Sequence, residues 1–146
     1  MNYINIPGLN NSGPNHWQTL WEDAFPLQFK RVQHSNWAAP VKKDWVAAVH
    51  TVIAHYNSPV VLVAHSLGCI TAVHWANENE SSLIAGALLV APADTEQSNR
   101  ECFKTFCPVP KKKLPFPSIV VASTNDPFVS TEKAAKYAGY WGSKFV

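Results

Sequence analysis

The stretch PVVLVAHSLGCITAVHWA, Pro59–Ala76, constrains the fold of this chain more than any other. Val60–Ala64 is short, apolar and mostly β-branched, which is the composition of a strand buried on both sides. From Leu67 to about Asn77 the pattern turns helical, with Ile70, Val73 and Trp75 among its apolar residues. Only His65 and Ser66 separate the two patterns. A strand that runs so abruptly into a helix belongs to a βαβ unit, whose strands are parallel.

The rest of the chain repeats that alternation. Tyr3–Ile6 reads as a strand ended by Pro7 and Gly8, and the loop LNNSGPN follows it. A helix over His16–Phe25 places Trp17, Leu20, Trp21 and Ala24 on one stripe. Phe29–Gln33 is a weak strand. Pro40–Tyr56 is the clearest helix, with Val41, Trp45, Val49, Val52, Ile53 and Tyr56 at spacings of three and four. Ile84–Ala91 and Ile119–Ser123 are further strands, and Ser130–Ala138 is a helix. Lys144–Val146 reads as a strand just beginning. The fold class expected is α/β: a single domain over residues 1–146, C-terminally incomplete, whose sheet is mostly parallel with helices on both faces. In such sheets ligands bind beyond the carboxyl ends of the strands, so the loops after Ile6, Val63 and Ser123 matter most.

Composition narrows the function classes. Of 146 residues, 47% are hydrophobic and 15% charged, which excludes disorder, and the formal net charge is only +2. So mild a balance predicts no nucleic-acid or membrane-surface partner. Lys111–Lys113, between Pro110 and Pro115, reads as a solvated loop. Three cysteines, Cys69, Cys102 and Cys107, at no disulfide-like density, suggest reduced thiols and a cytoplasmic setting. No run approaches the length of a membrane span, and MNYINIPG lacks the features of a secretory signal. No dinucleotide or phosphate-loop glycine pattern is present. No metal or organic cofactor is expected.

Ala64-His65-Ser66-Leu67-Gly68 has the form of a nucleophile elbow, with alanine in place of the first glycine. The elbow lifts a serine hydroxyl above the sheet, and small residues two before and two after let helix and strand approach. Ser66 is therefore the candidate nucleophile, and an ordinary capping serine is the plain alternative. The Leu67 N–H would face a developing oxyanion, and the N–H of Leu9 or Asn10, after Gly8, would be the second donor. The triad order serine, acid, histidine points to Asp126 in ASTNDPFVS as the acid, with Asp94 in APADTE as runner-up. The histidine is the difficulty, because none of His16, His34, His50, His55, His65 and His74 follows Asp126. His50, His55 and His74 fall in helices as surface or packing residues, and His34 follows the second strand. His65 adjoins the nucleophile, and His16 adjoins the oxyanion loop. Both are candidate substrate-binding residues, and His16 could instead cap the first helix or act as a base. The simpler expectation is a base beyond Val146, on one more strand and turn.

PGLNNSGPNHWQTLWE, VVLVAHSLGC, APAD and ASTNDPFVS together resemble the small serine hydrolases of the YdeN and retinoblastoma-binding-protein-nine type, over nearly the whole chain. The resemblance implies a compact α/β-hydrolase fold with no large cap domain, Ser66 as nucleophile and Asp126 as acid. It also implies a histidine in a Gly-His loop after the last strand, a loop that this sequence does not reach. The leading expectation is an esterase-like serine hydrolase acting on a small-molecule carboxylic ester. The alternative is a non-catalytic hydrolase-fold binding protein, with a protein partner on the long Asp94–Pro117 loop. An unfinished sheet also predicts exposure of Trp141 and Phe145, and with it association of the chain.

Overall fold

The computed structural model describes residues 1–80 and 82–146. Its elements run β1 (Asn2–Ile6), α1 (Trp17–Ala24), β2 (Phe29–Arg31), α2 (Lys42–Ile53), β3 (Val60–His65), α3 (Leu67–Glu78) and β4 (Ile84–Val90). A 3-10 turn at Glu101–Phe106 follows, then β5 (Ser118–Val121), α4 (Thr131–Trp141) and β6 (Lys144–Phe145). The six strands form one sheet in the order β2-β1-β3-β4-β5-β6, and every pairing is parallel.

That order decides where the helices go. Crossovers between parallel strands are right-handed. The step from β1 to β2 runs one way across the sheet, and every later step runs the other way. α1 therefore covers one face, while α2, α3, the 3-10 turn and α4 cover the opposite one.

The crowded face carries the core. Ile6, Ala64, Leu89 and Val120 stand side by side across four strands, each fully buried. Trp45 and Val49 of α2 and Ile70 and Val73 of α3 close over this face. α3 is apolar nearly all round and buried from Leu67 to Ala76, as a helix sandwiched between a sheet and its neighbours must be. α4 starts at Ser130, whose side chain accepts a hydrogen bond from the Lys133 N–H at 3.1 Å, and ends at Gly142 with φ 67°.

The α1 side departs from the sequence reading. The stripe Trp17, Leu20, Trp21 and Ala24 is not a core stripe: Leu20, Trp21 and Ala24 are exposed. The buried residue of α1 is Gln18, whose Nε2 donates to the Val63 carbonyl at 3.1 Å and whose Oε1 accepts from Ser12 Oγ at 2.8 Å. Asn5, also fully buried, donates from Nδ2 to the Gln18 carbonyl at 3.1 Å and to Glu22 at 2.6 Å. Polar bonding, not apolar burial, holds this helix to the sheet, and apolar periodicity cannot detect that.

Further expectations are revised. Trp141 is buried, stacked on Tyr137 with ring centroids 4.8 Å apart, and its Nε1–H donates to the Pro110 carbonyl; only Phe145 is exposed as expected. The Asp94–Pro117 segment, read as a long loop, is anchored by Phe103, Phe106, Val109, Leu114 and Phe116, which are buried in the core. The Pro40–Tyr56 helix is shorter than read, so His55 lies just past its end. Among the described residues no helix is long and apolar enough to cross a membrane.

Candidate active site

Ser66 is the single residue between β3 and α3, with φ 53° and ψ −119°. That backbone is unfavourable for a side-chain-bearing residue. Its own bonds hold it: the Ser66 N–H donates to the Val90 carbonyl at 3.0 Å, and its carbonyl accepts from Cys69 at 3.0 Å and Ala93 at 3.2 Å. Close contact does the rest. A Cβ on Gly68 would stand 2.0 Å from the Ile6 carbonyl oxygen, so only glycine lets α3 start against the end of β1. A Cβ on Gly8 would meet Ser66 Cβ at 2.9 Å and the Leu67 nitrogen at 3.2 Å. The loop after β1 is thus laid directly on the elbow.

This contact sets the candidate donors. The Leu67 N–H opens α3 and has no acceptor within its helix. Gly8 to Asn11 forms a turn closed by the Asn11 N–H on the Gly8 carbonyl at 3.1 Å, with Asn10 and Asn11 at φ 63° and 64°. Asparagine tolerates that region well. The two alternatives for the second donor now differ. The Asn10 N–H is spent on the Trp37 carbonyl at 3.0 Å, whereas the Leu9 N–H meets no acceptor among the described residues.

Leu9, Asn10, His16, His65 and Ser66 line one cleft of about 280 Å³. Asp94, Ser98, Arg100, Phe103 and Phe128 share its wall. A wider hollow of about 450 Å³ near Lys112 and Pro115 contains none of the candidate site residues. Asp126 is not on the wall. It stands at the same sheet edge, on the loop after β5, and its side chain accepts from the Phe128 N–H at 2.8 Å. Its charge nevertheless reaches His65. Asp94, which is on the wall, pairs with Lys133 at 3.6 Å.

Both cleft histidines are neutral at pH 7. Burial pushes His65 down to about 4, nearby His16 adds to the shift, and the Asp126 charge opposes it. Burial also lowers His16, helped by the Arg31 guanidinium. The two rings meet edge-on, centroids 4.6 Å apart. His16 is the N-cap of α1: its Nδ1 accepts from the Gln18 N–H at 3.2 Å, which leaves the ring proton of the neutral form on Nε2. The other histidines are elsewhere. His34 stacks flat on Trp45 at 3.9 Å, His50 Nδ1 accepts from Trp75 Nε1, His55 bonds the Thr51 carbonyl, and His74 bonds the Phe106 carbonyl at 2.8 Å. Among the described residues, no three His, Cys, Asp or Glu side chains gather to hold a metal ion.

Sequence reasoning missed Ser98, Arg100, Phe103 and Phe128 as wall residues. The length of the Asp94–Pro117 segment was the only signal for the first three, and Phe128 carried none beyond lying two residues after Asp126.

Comparison with known proteins follows the same lines. A family model described as "Serine hydrolase" matches residues 3–146. A protein described as a YdeN-like hydrolase from Pectobacterium atrosepticum superposes with a TM-score of 0.89 at 32% identity, over 99% of this chain and 75% of that one. The ydeN gene product of B. subtilis gives 0.78 at 20% identity, over 99% and 83% of the two chains. Alpha/beta hydrolase domain-containing protein 10 from mouse gives 0.76 at 16% identity, over 99% and 78%. No curated protein matches the chain in sequence.

Proposed function

Because the chain belongs to the serine hydrolase family, we propose that it cleaves carboxylic esters through an acyl-enzyme formed at Ser66. The observation that carries this reading is a serine at φ 53° on a strand-to-helix elbow, opening on a cleft beside the loop that follows β1. Ser66 Oγ attacks the ester carbonyl carbon and gives up its proton to a base. The carbonyl oxygen, now carrying the negative charge, is held by the N–H groups of Leu67 and Leu9. The C–O bond to the alcohol breaks, the alcohol leaves with the proton, and water then hydrolyses the acyl-enzyme by the same path.

Asp126 is the carboxylate assigned to orient the base and to stabilise its cation. His16 is unsuited to be that base. With Nδ1 engaged by a backbone N–H, its Nε2 carries a proton and can only donate. We assign it, with His65, to hydrogen bonding of the bound ester. In this reading the base is a histidine on a loop after the last strand, which the family resemblance implies.

Covalent labelling with a fluorophosphonate tests the reading directly. In a chain extended to carry that histidine loop, Ser66→Ala is expected to abolish labelling and to lower ester turnover by roughly four orders of magnitude or more, while His16→Ala keeps the label. An extended chain that neither labels nor turns over esters favours the non-catalytic binding protein. Rapid labelling lost in His16→Ala would make His16 the base after all.

A further inference from the structure

The wall of the Ser66 cleft holds two formally charged residues, Asp94 and Arg100, and their situations differ. Asp94 has its counter-ion in Lys133 at 3.6 Å, and the same ammonium also meets Glu96 at 3.4 Å. Glu101, the sequence neighbour of Arg100, is taken by Lys104 at 2.6 Å. Arg100 has no carboxylate partner among the described residues. Its guanidinium carbon lies 6.0 Å from the centre of the Phe103 ring, itself nearly buried and on the same wall. An arginine set over an aromatic face is held in place without losing its hydrogen-bond donors.

Ser98 completes the arrangement. Its Oγ accepts the Arg100 backbone N–H at 3.2 Å, so the hydroxyl proton is the part left to donate. Arg100 and Ser98 thus present donors into a cleft whose remaining wall is neutral or already paired. A planar fork of N–H groups with an adjacent O–H matches a carboxylate.

We propose that Arg100 and Ser98 form a carboxylate subsite in the Ser66 cleft, so that the preferred substrate is a short ester carrying a carboxylate away from the scissile bond. A half-ester of a small dicarboxylic acid is the simplest such molecule. The volume of about 280 Å³ agrees, because it equals roughly nine molecules of liquid water, which is the scale of a short ester. The inference rests on Ser66 being the reacting group.

The test separates the two claims. In a Ser66→Ala background, which cannot turn over the ligand, dissociation constants are measured by NMR titration for monomethyl succinate and for methyl butyrate, its nearest uncharged counterpart. Monomethyl succinate is expected to bind about tenfold more tightly. Arg100→Gln brings the ratio of the two constants to about one, and Arg100→Lys keeps part of it, since the charge stays and the fork is lost. Arg100 is exposed, so neither variant threatens the fold. A ratio near one in the parent, or a ratio untouched by Arg100→Gln, overturns the subsite. Fluorophosphonate labelling of Ser66 is read separately. Labelling without discrimination leaves the hydrolase standing and removes the subsite; discrimination without labelling does the reverse.

Discussion

The two faces of the sheet are made from the same strands and differ in almost everything else. On the face under α2, α3 and α4, the row Ile6, Ala64, Leu89, Val120 is fully buried, and exposure begins only at Phe145 on the edge strand. On the face under α1, the neighbouring row is Asn5, Val63, Leu88, Ile119, Lys144. It opens steadily: Asn5 is sealed, Leu88 is half-buried and Ile119 is 40% exposed. Leu20, Trp21, Phe25 and Leu27 are exposed on or just after α1. Cohesion is concentrated on one face. The other is tied down by hydrogen bonds among Asn5, Gln18, Ser12, Glu22 and Arg31. Strand alternation alone would make the faces equal; the single reversal in strand order makes them unequal.

Three measurements sharpen or break this contrast, each expected to be smaller than the one before. The largest effect should come from Gly68→Ala, which drives a methyl group into the Ile6 carbonyl at the junction of α3 and β1. A loss of about 4 kcal/mol or more is expected in urea unfolding, because both partners are backbone. Next is the adjacent pair at the centre of the sheet. Leu89→Ala on the closed face should cost about 3 kcal/mol, and Leu88→Ala on the open face about 1 kcal/mol. Equal losses would mean that the α1 face is covered in solution by something else. The smallest effect is acid sensitivity. Burial against Trp45 pushes His34 down to about 4 from 6.5. Between those values the unfolded chain binds a proton that the folded one refuses, so stability, complete above pH 6.5, declines as pH falls. His34→Phe keeps a ring on Trp45 and removes this share. The drop in Tm from pH 7 to pH 5, followed by circular dichroism, should shrink by about 3 °C. His65, also near 4, preserves the remainder.

The contrast also explains what was legible in the sequence. The central strands were marked by short continuous apolar runs and α2 by apolar residues at spacings of three and four, because there burial is the organising force. Ala64-x-Ser66-x-Gly68 was legible for the same reason: the close approach it permits is a packing requirement. The role of α1 was not legible, since Gln18 and Asn5 look like surface residues until their hydrogen-bond partners are known. Whether Leu9 or Asn10 offers the free N–H also lay beyond the sequence, because it depends on the distant Trp37 carbonyl. Arg100 and Phe128 reach the cleft through loop paths that no periodicity encodes.

The backbone at Ser66 has one more consequence. A residue held at φ 53° costs the fold something on the order of 1–3 kcal/mol, and glycine would relieve most of it. Selection of this protein for heat tolerance alone would therefore tend to discard the very hydroxyl on which its chemistry is proposed to rest. Any serine that persists at this bend in heat-hardened descendants would have been kept by usefulness, against the grain of durability.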